Sequence, residues 1–209
     1  MPALSSQQPA SATKDSCCDA AHDSKCPYPK LTHVVSYLNG LSGRADLKVL
    51  SAMLAELNIT REDIAPSCLF GEKGYKRNTI AASPWFELLA LCWRSGDFTP
   101  IHDHQGVSCA FKVIEGQGVE MRFASTPSGL ICPTQSVAMD PGYVCAADDP
   151  DIHQVANMQA PGEDLITVHI YSPPIKQMNV YQFASRVSEE CAKAYREDTG
   201  SLAGTEFPC

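Results

Sequence analysis

The sequence predicts a mainly β protein, an antiparallel β-barrel or sandwich behind a small helical N-terminal portion. Three observations predict it. Apolar residues recur at helical spacing only before about residue 69. After Gly71, short runs rich in Val, Ile, Phe and Thr are cut by turn residues at roughly the 8–12-residue spacing of an all-β fold. Finally, 209 residues, 44% hydrophobic and 19% charged, suffice for one domain with its own core.

The elements follow in order. Residues 1–29 are rich in Ser, Ala, Gln, Asp and Pro and read as a tail, within which His22, Cys17, Cys18 and Cys26 form a candidate His/Cys metal patch. Leu31, Val34, Val35 and Leu38 recur at i, i+3, i+4 and i+7, and Gly40 follows as a stop. Leu47, Leu50, Leu54 and Leu57 mark a second helix. Thr60-Arg61-Glu62-Asp63 resembles an N-cap with acidic first-turn residues and predicts a short third. From about 71 to 185, eight to ten strands fit between turns such as Ser95-Gly96-Asp97, Glu115-Gly116-Gln117-Gly118, Asp140-Pro141-Gly142 and Ala160-Pro161-Gly162. Ser188–Arg196 fits a terminal helix and 199–209 a second tail, so a single domain is expected over 30–198.

Composition excludes several functions. A net charge of −8 argues against a general nucleic-acid binder. No apolar run approaches the ~18 residues of a membrane span, and the N-terminus lacks the basic and apolar regions of a secretory signal. A cytoplasmic protein is the expectation. Ten cysteines could form disulfides, ligate metal or remain thiols, but no C-x-x-C pair occurs and the expected compartment is reducing. Most therefore read as small buried hydrophobes or tail residues.

The densest chemical signal is Gly96-Asp97-Phe98-Thr99-Pro100-Ile101-His102-Asp103-His104. Residues two apart on a strand share a face, so His102 and His104 can converge. Neutral imidazoles suit Fe, Zn, Cu or Ni. A third histidine, His153, follows the turn at Asp149-Pro150; its simpler reading is a strand-end histidine bonded to a backbone carbonyl. Gly96-x5-His102-x-His104, Gly116 and His153-x3-Asn157 together resemble the two-part signature of the cupin barrel. Cupins usually place a Glu ligand soon after the second histidine. Here no Glu occurs until Glu115, and Cys109 stands near the expected position. Three neutral ligands leave the metal charge uncompensated, which favours an incoming anion such as a thiolate.

Two further sets sit at strand period. Thr167, His169 and Tyr171 alternate with Ile166, Val168 and Ile170, the pattern of a strand lining a polar cavity. Tyr75 and Arg77 also share a face. An Arg inside a barrel needs an anion, and its fork suits a carboxylate; the competing reading is a rim Arg in a surface ion pair.

Leu91-Cys92-Trp93, Cys109 five residues beyond His104, and His169-Ile170-Tyr171-Ser172-Pro173-Pro174 complete a pattern that resembles the cysteine dioxygenase type I family, thiol dioxygenases of the cupin superfamily. The resemblance runs from about Lys30 to Phe183. It implies that His102, His104 and His153 bind Fe(2+), that Arg77 binds the substrate carboxylate with Tyr75 beside it, and that Cys109 and Tyr171 form a thioether cross-link. It also implies that His169 hydrogen-bonds Tyr171, while Thr167 stands where the animal enzymes have Ser. Many bacterial members lack the cross-link cysteine, so Cys109 places this chain nearer the eukaryotic type, although Gln177-Met178 replaces a Cys of the animal enzymes. The implied partners are L-cysteine and O2, with no nucleic acid or membrane, and the implied state is a monomer. The alternatives are a dioxygenase for 3-mercaptopropionate or cysteamine, or a metal-binding cupin without dioxygenase activity. Three histidines also serve zinc, so the ligand set alone does not name the metal.

Overall fold

A computed structural model of the chain describes residues 27–104, 106–147 and 151–182. The His22 patch, the helix expected at Ser188–Arg196 and the tail at 199–209 lie outside the described residues. A 3₁₀ turn, Pro29–Leu31, leads into α1 (Thr32–Asn39), followed by α2 (Leu47–Glu56). Asp46 caps α2, its Oδ1 accepting from the amides of Lys48 at 2.8 Å and Val49 at 3.2 Å, which satisfies two otherwise unpaired donors. The third helix is a 3₁₀ turn, Glu62–Ser67. Its acid does reach back as expected, Asp63 Oδ2 accepting from the Thr60 amide at 2.8 Å. Pro66 supplies no amide to extend the turn.

Ten strands follow: β1 (Lys76–Ser83), β2 (Phe86–Trp93), β3 (Ile101–His102), β4 (Ser108–Glu115), β5 (Gly118–Ser125), β6 (Ile131–Met139), β7 (Val144–Ala147), β8 (Ile152–Ala156), β9 (Leu165–Ser172) and β10 (Val180–Tyr181). They form two five-stranded antiparallel sheets, ordered β1-β2-β9-β4-β7 and β10-β3-β8-β5-β6. Gly116 turns the chain between β4 and β5 with φ +76°, where a Cβ would meet the carbonyl of Asp164. No helix among the described residues is long and apolar enough to cross a membrane. The five described cysteines are free thiols; Cys92, Cys109 and Cys145 are buried, Cys68 is half-buried and Cys132 is exposed.

The first sheet separates two cores. Leu88, Ala90 and Cys92 of β2 and Ile166, Val168 and Ile170 of β9 pack with Leu38, Leu50 and Leu54 of the helices. The alternate residues Leu89, Leu91 and Trp93 join Phe111, Val155 and Met139 in the core between the sheets. The helices thus cover the outer face of the sheet, which leaves its inner face for the cavity.

Lys112 ties β4 to the end of α2. Its Nζ donates to the carbonyls of Leu54 at 2.9 Å, Ala55 at 3.2 Å and Leu57 at 2.7 Å. These groups lack intrahelical donors, and the helix dipole also favours a cation there. Lys112→Met should cost about 1–2 kcal/mol, read as a lower urea midpoint at unchanged slope. An unchanged midpoint would show that water replaces the ammonium at no cost.

Candidate active site

Three histidines meet at one end of the sandwich. β3 and β8 pair His102 directly with His153. His104 lies just beyond β3, so convergence does not require both members of the H-x-H motif to be strand residues. The rings of His102 and His104 lie 4.9 Å apart, with His153 4.7 Å from the first and 4.8 Å from the second. One ligand nitrogen from each falls within 4.8 Å of the others. All three residues are buried.

Hydrogen bonds set two of the tautomers. His102 Nδ1 lies 2.9 Å from the Pro100 carbonyl, which can only accept, so Nε2 keeps its lone pair. His153 Nδ1 lies 2.8 Å from Glu120 Oε1, and its Nε2 is buried with no partner among the described residues. That orphaned nitrogen is what a metal would satisfy. Desolvation lowers the pKa of His102 to about 4 and that of His104 to about 3, with neighbouring His153 adding to each shift, so both are neutral near pH 7.

Glu120 is the residue that sequence reading missed. It is fully buried, and its second oxygen accepts from Arg122 Nε at 2.9 Å and Nη2 at 2.7 Å. Burial works to raise its pKa, but the hydrogen bonds from His153 and Arg122 outweigh it and hold the carboxylate below its ordinary range. His153 therefore bonds a carboxylate rather than the backbone carbonyl of the simpler reading. Carboxylate–histidine pairs orient a ligand and raise its basicity. Glu120→Gln should weaken metal binding about 10–100-fold in chelator competition, and unchanged affinity would confine Glu120 to packing.

Asp103, between the two motif histidines, anchors the last described segment. It accepts from Asn179 N at 3.1 Å, Asn179 Nδ2 at 2.9 Å and the Tyr181 hydroxyl at 2.8 Å. Ile175 and Met178 on that segment line the cavity.

Tyr75, Arg77, Cys109, His169 and Tyr171 line the same cavity, while Thr167 lies behind it, fully buried against Trp93 and His169. Tyr75 stacks on Trp93 with ring centroids 4.2 Å apart. Arg77 meets both descriptions offered for it. Its guanidinium lies 5.2 Å from the centre of the Tyr171 ring, and its Nη2 pairs at the rim with Glu87 at 3.3 Å. Tyr171 and Cys109 are direct cross-strand partners on β9 and β4, where facing Cβ atoms are typically about 4.5–5.5 Å apart. Cys109 is absent from the ligand cluster; its neighbour is the tyrosine. Burial raises both the thiol and the phenol well above their ordinary pKa values. His169 stacks on Phe111 at 4.8 Å and bridges Thr167 and Tyr171 through its two ring nitrogens.

Two antiparallel sheets closing on three buried histidines define a cupin-type protein with a non-haem metal site. Residues 33–184 match the family model for cysteine dioxygenase type I. The chain belongs to that family. It is 30% identical over 117 residues to cysteine dioxygenase type 1 of Danio rerio, covering 54% of this chain and 58% of that one. The Homo sapiens protein of the same name is 27% identical over 116 residues with the same shares, so the chain spans a little over half the length of these relatives. Among solved structures, a protein with a double-stranded β-helix domain from Klebsiella pneumoniae is similar at 13% identity and TM-score 0.45, covering 57% of this chain and 94% of that one. A cupin superfamily protein from Desulfitobacterium hafniense is similar at 14% identity and TM-score 0.40, covering 51% and 84%.

Proposed function

We propose that this protein oxidises L-cysteine with O2 to cysteine sulfinic acid. The observation that carries the reading is Arg77 held over Tyr171 in a cavity that also contains three metal-ligating histidines. His102, His104 and His153 would hold Fe(2+), which supplies the redox chemistry that activates O2. The guanidinium is placed to grip a carboxylate by charge-assisted hydrogen bonds, which removes translational freedom and orients the rest of the substrate toward the histidines. Glu87 would yield its hydrogen bond as that carboxylate arrives. Trp93, Phe111 and Leu91 wall the cavity and limit water. Tyr171, positioned by His169, offers its hydroxyl beside the reacting sulfur. In the overall reaction sulfur is oxidised by four electrons, O2 is reduced by four, and both oxygen atoms remain on sulfur.

Mass spectrometry of the product formed from cysteine under labelled O2 tests the reading. Two labelled oxygens in the sulfinate are expected, and a product without label would sink it. Oxygen uptake with 3-mercaptopropionate and cysteamine as rivals tests the substrate, since cysteamine has no carboxylate for Arg77. Clear preference for cysteamine would reassign it. Zinc at full occupancy with no sulfinate formed on adding Fe(2+) would favour a metal-binding cupin of another kind.

The facing of Cys109 and Tyr171 supports a thioether between them. Its formation would join the Cys109 sulfur to a ring carbon of Tyr171 in place of the S–H and C–H bonds, the two hydrogens and two electrons passing to O2 as hydrogen peroxide. Cys109→Ser should lower turnover without abolishing it and remove any faster-migrating band from denaturing gels. Wild-type protein with no such band after turnover would exclude the cross-link.

A further inference from the structure

Two thiols meet outside the cavity, on the helix side of the first sheet. Cys92 lies on β2 and is fully buried; Cys68 follows the Glu62–Ser67 turn and is half-buried. Lys76 is the β1 partner of Cys92, so the segment that leaves Cys68 returns to Cys92 as soon as β1 begins.

Distances fix the meeting. Cys92 Sγ lies 3.8 Å from the carbonyl oxygen of Ser67, the residue before Cys68. Asn78 Nδ2 donates at 2.9 Å to the carbonyl of Leu69, the residue after it, and lies 3.6 Å from Cys92 Sγ. The two chain neighbours of Cys68 thus bracket the Cys92 sulfur, and the thiols fall within hydrogen-bonding reach of each other. Neither belongs to the histidine cluster. Packing accounts for one buried cysteine. Two in contact, with unequal access to solvent, make a dithiol with an entrance. Cys68 is that entrance, and the Arg61 guanidinium favours its thiolate against the larger, opposing effect of burial. Cys92, pushed up to about 12 by burial, stays a thiol behind it.

We infer that Cys68 and Cys92 form a site of reversible oxidation, which hydrogen peroxide converts to a disulfide. The Cys68 sulfur attacks one peroxide oxygen and the O–O bond breaks, giving a sulfenic acid and one water. The Cys92 sulfur then displaces the hydroxyl from Cys68, and its proton leaves with that hydroxyl as a second water. The two sulfurs give up two electrons in total, and the peroxide takes both. Burial keeps the thiolate fraction of Cys68 low, so the first step is slow and the pair answers sustained exposure. The bridge would close the base of the segment that delivers Tyr75 and Arg77 to the cavity, where Asn78 already ties Leu69 to Ala90 of β2.

The test is peptide mapping of full-length protein, carrying Zn2+ in place of iron, treated with excess peroxide and alkylated without reduction. Trypsin, cutting after Arg61, Lys73, Arg77 and Arg94, puts Cys68 on 62–73 and Cys92 on 78–94, each the only cysteine of its peptide. A joined pair of these peptides, lighter by two hydrogens than their sum and separated by dithiothreitol, is expected. Cys68→Ser should lose it, and Cys92→Ala should leave Cys68 as a sulfenic acid that dimedone traps. The exposed Cys132 reports that the oxidant reached the protein. Oxidised Cys132 beside an alkylated Cys68 in the wild type overturns the inference, as does Cys68 joined to any other cysteine or oxidised while Cys92 stays free. Should Cys92→Ala not fold, the wild-type map and Cys68→Ser still decide. No thiol substrate is present, so the outcome is independent of the dioxygenase reading.

Discussion

Replacing His153 by alanine should reduce the metal content of the purified protein to background. Two imidazoles would remain, and among the described residues no carboxylate hydrogen-bonds the ring of His102 or His104 as Glu120 does that of His153. The loss falls on binding rather than folding, because Glu120 keeps its two hydrogen bonds from Arg122 and is not stranded as an unpaired buried charge. Metal analysis beside a thermal melt separates the two effects. The expected pair of results is metal at background and a transition within a few degrees of wild type. Stoichiometric metal in the variant would remove His153 from the ligand set.

Arg77→Ala should raise KM for cysteine about 10–100-fold, the equivalent of losing roughly 1.5–3 kcal/mol of charge-assisted hydrogen bonding. Turnover should fall as well, since a substrate held only through its other groups spends less time in the reactive orientation. Cysteamine is the internal control. Lacking a carboxylate, it should show little change in KM between wild type and variant. Steady-state oxygen uptake with both thiols measures this, and an unchanged KM for cysteine would take Arg77 out of substrate binding. Folding should survive, because the Arg77–Glu87 pair is a partly exposed rim contact of the kind that contributes little to stability.

The sequence made one face of the barrel legible and hid what stands behind it. Alternation in β9 named Thr167, His169 and Tyr171 as a shared face because side-chain direction follows parity along a strand. The H-x-H spacing predicted convergence of His102 and His104 for the same reason. Glu120 escaped because its partner lies 33 residues away, brought beside it only by the pairing of β5 with β8. A signal was present: Glu120 and Arg122 share a face near the middle of a strand, and a charge at such a position needs a partner. Trp93 was noticed as part of a motif, but its indole hydrogen bond to Thr167 spans 74 residues and depends on the register of β2 with β9. Arg77 could not be decided from sequence because strand period assigns a face and says nothing of depth. Its guanidinium proved to sit at the mouth, in reach of both solvent and Tyr171. The short third helix was legible at its start, where the capping pattern announces it, while its 3₁₀ form was not, and Pro66 limits its length.

The two-sided burial of β9 makes it a strand on which chemistry and folding are interleaved letter by letter. Odd-numbered 169 and 171 line the cavity, with 167 hydrogen-bonded behind them on the same face, while even-numbered 166, 168 and 170 pack in the core with the helices. A conservative change at Val168 or Ile170 should therefore shift melting temperature, whereas one at His169 or Tyr171 alters the lining of the cavity. Inserting or deleting one residue in this strand would be far worse than any substitution. It would swap the two alphabets, turning imidazole and phenol toward Leu50 and Leu54 and leaving valine and isoleucine to greet the substrate. The strand tolerates editing of its letters and forbids a change in its reading frame.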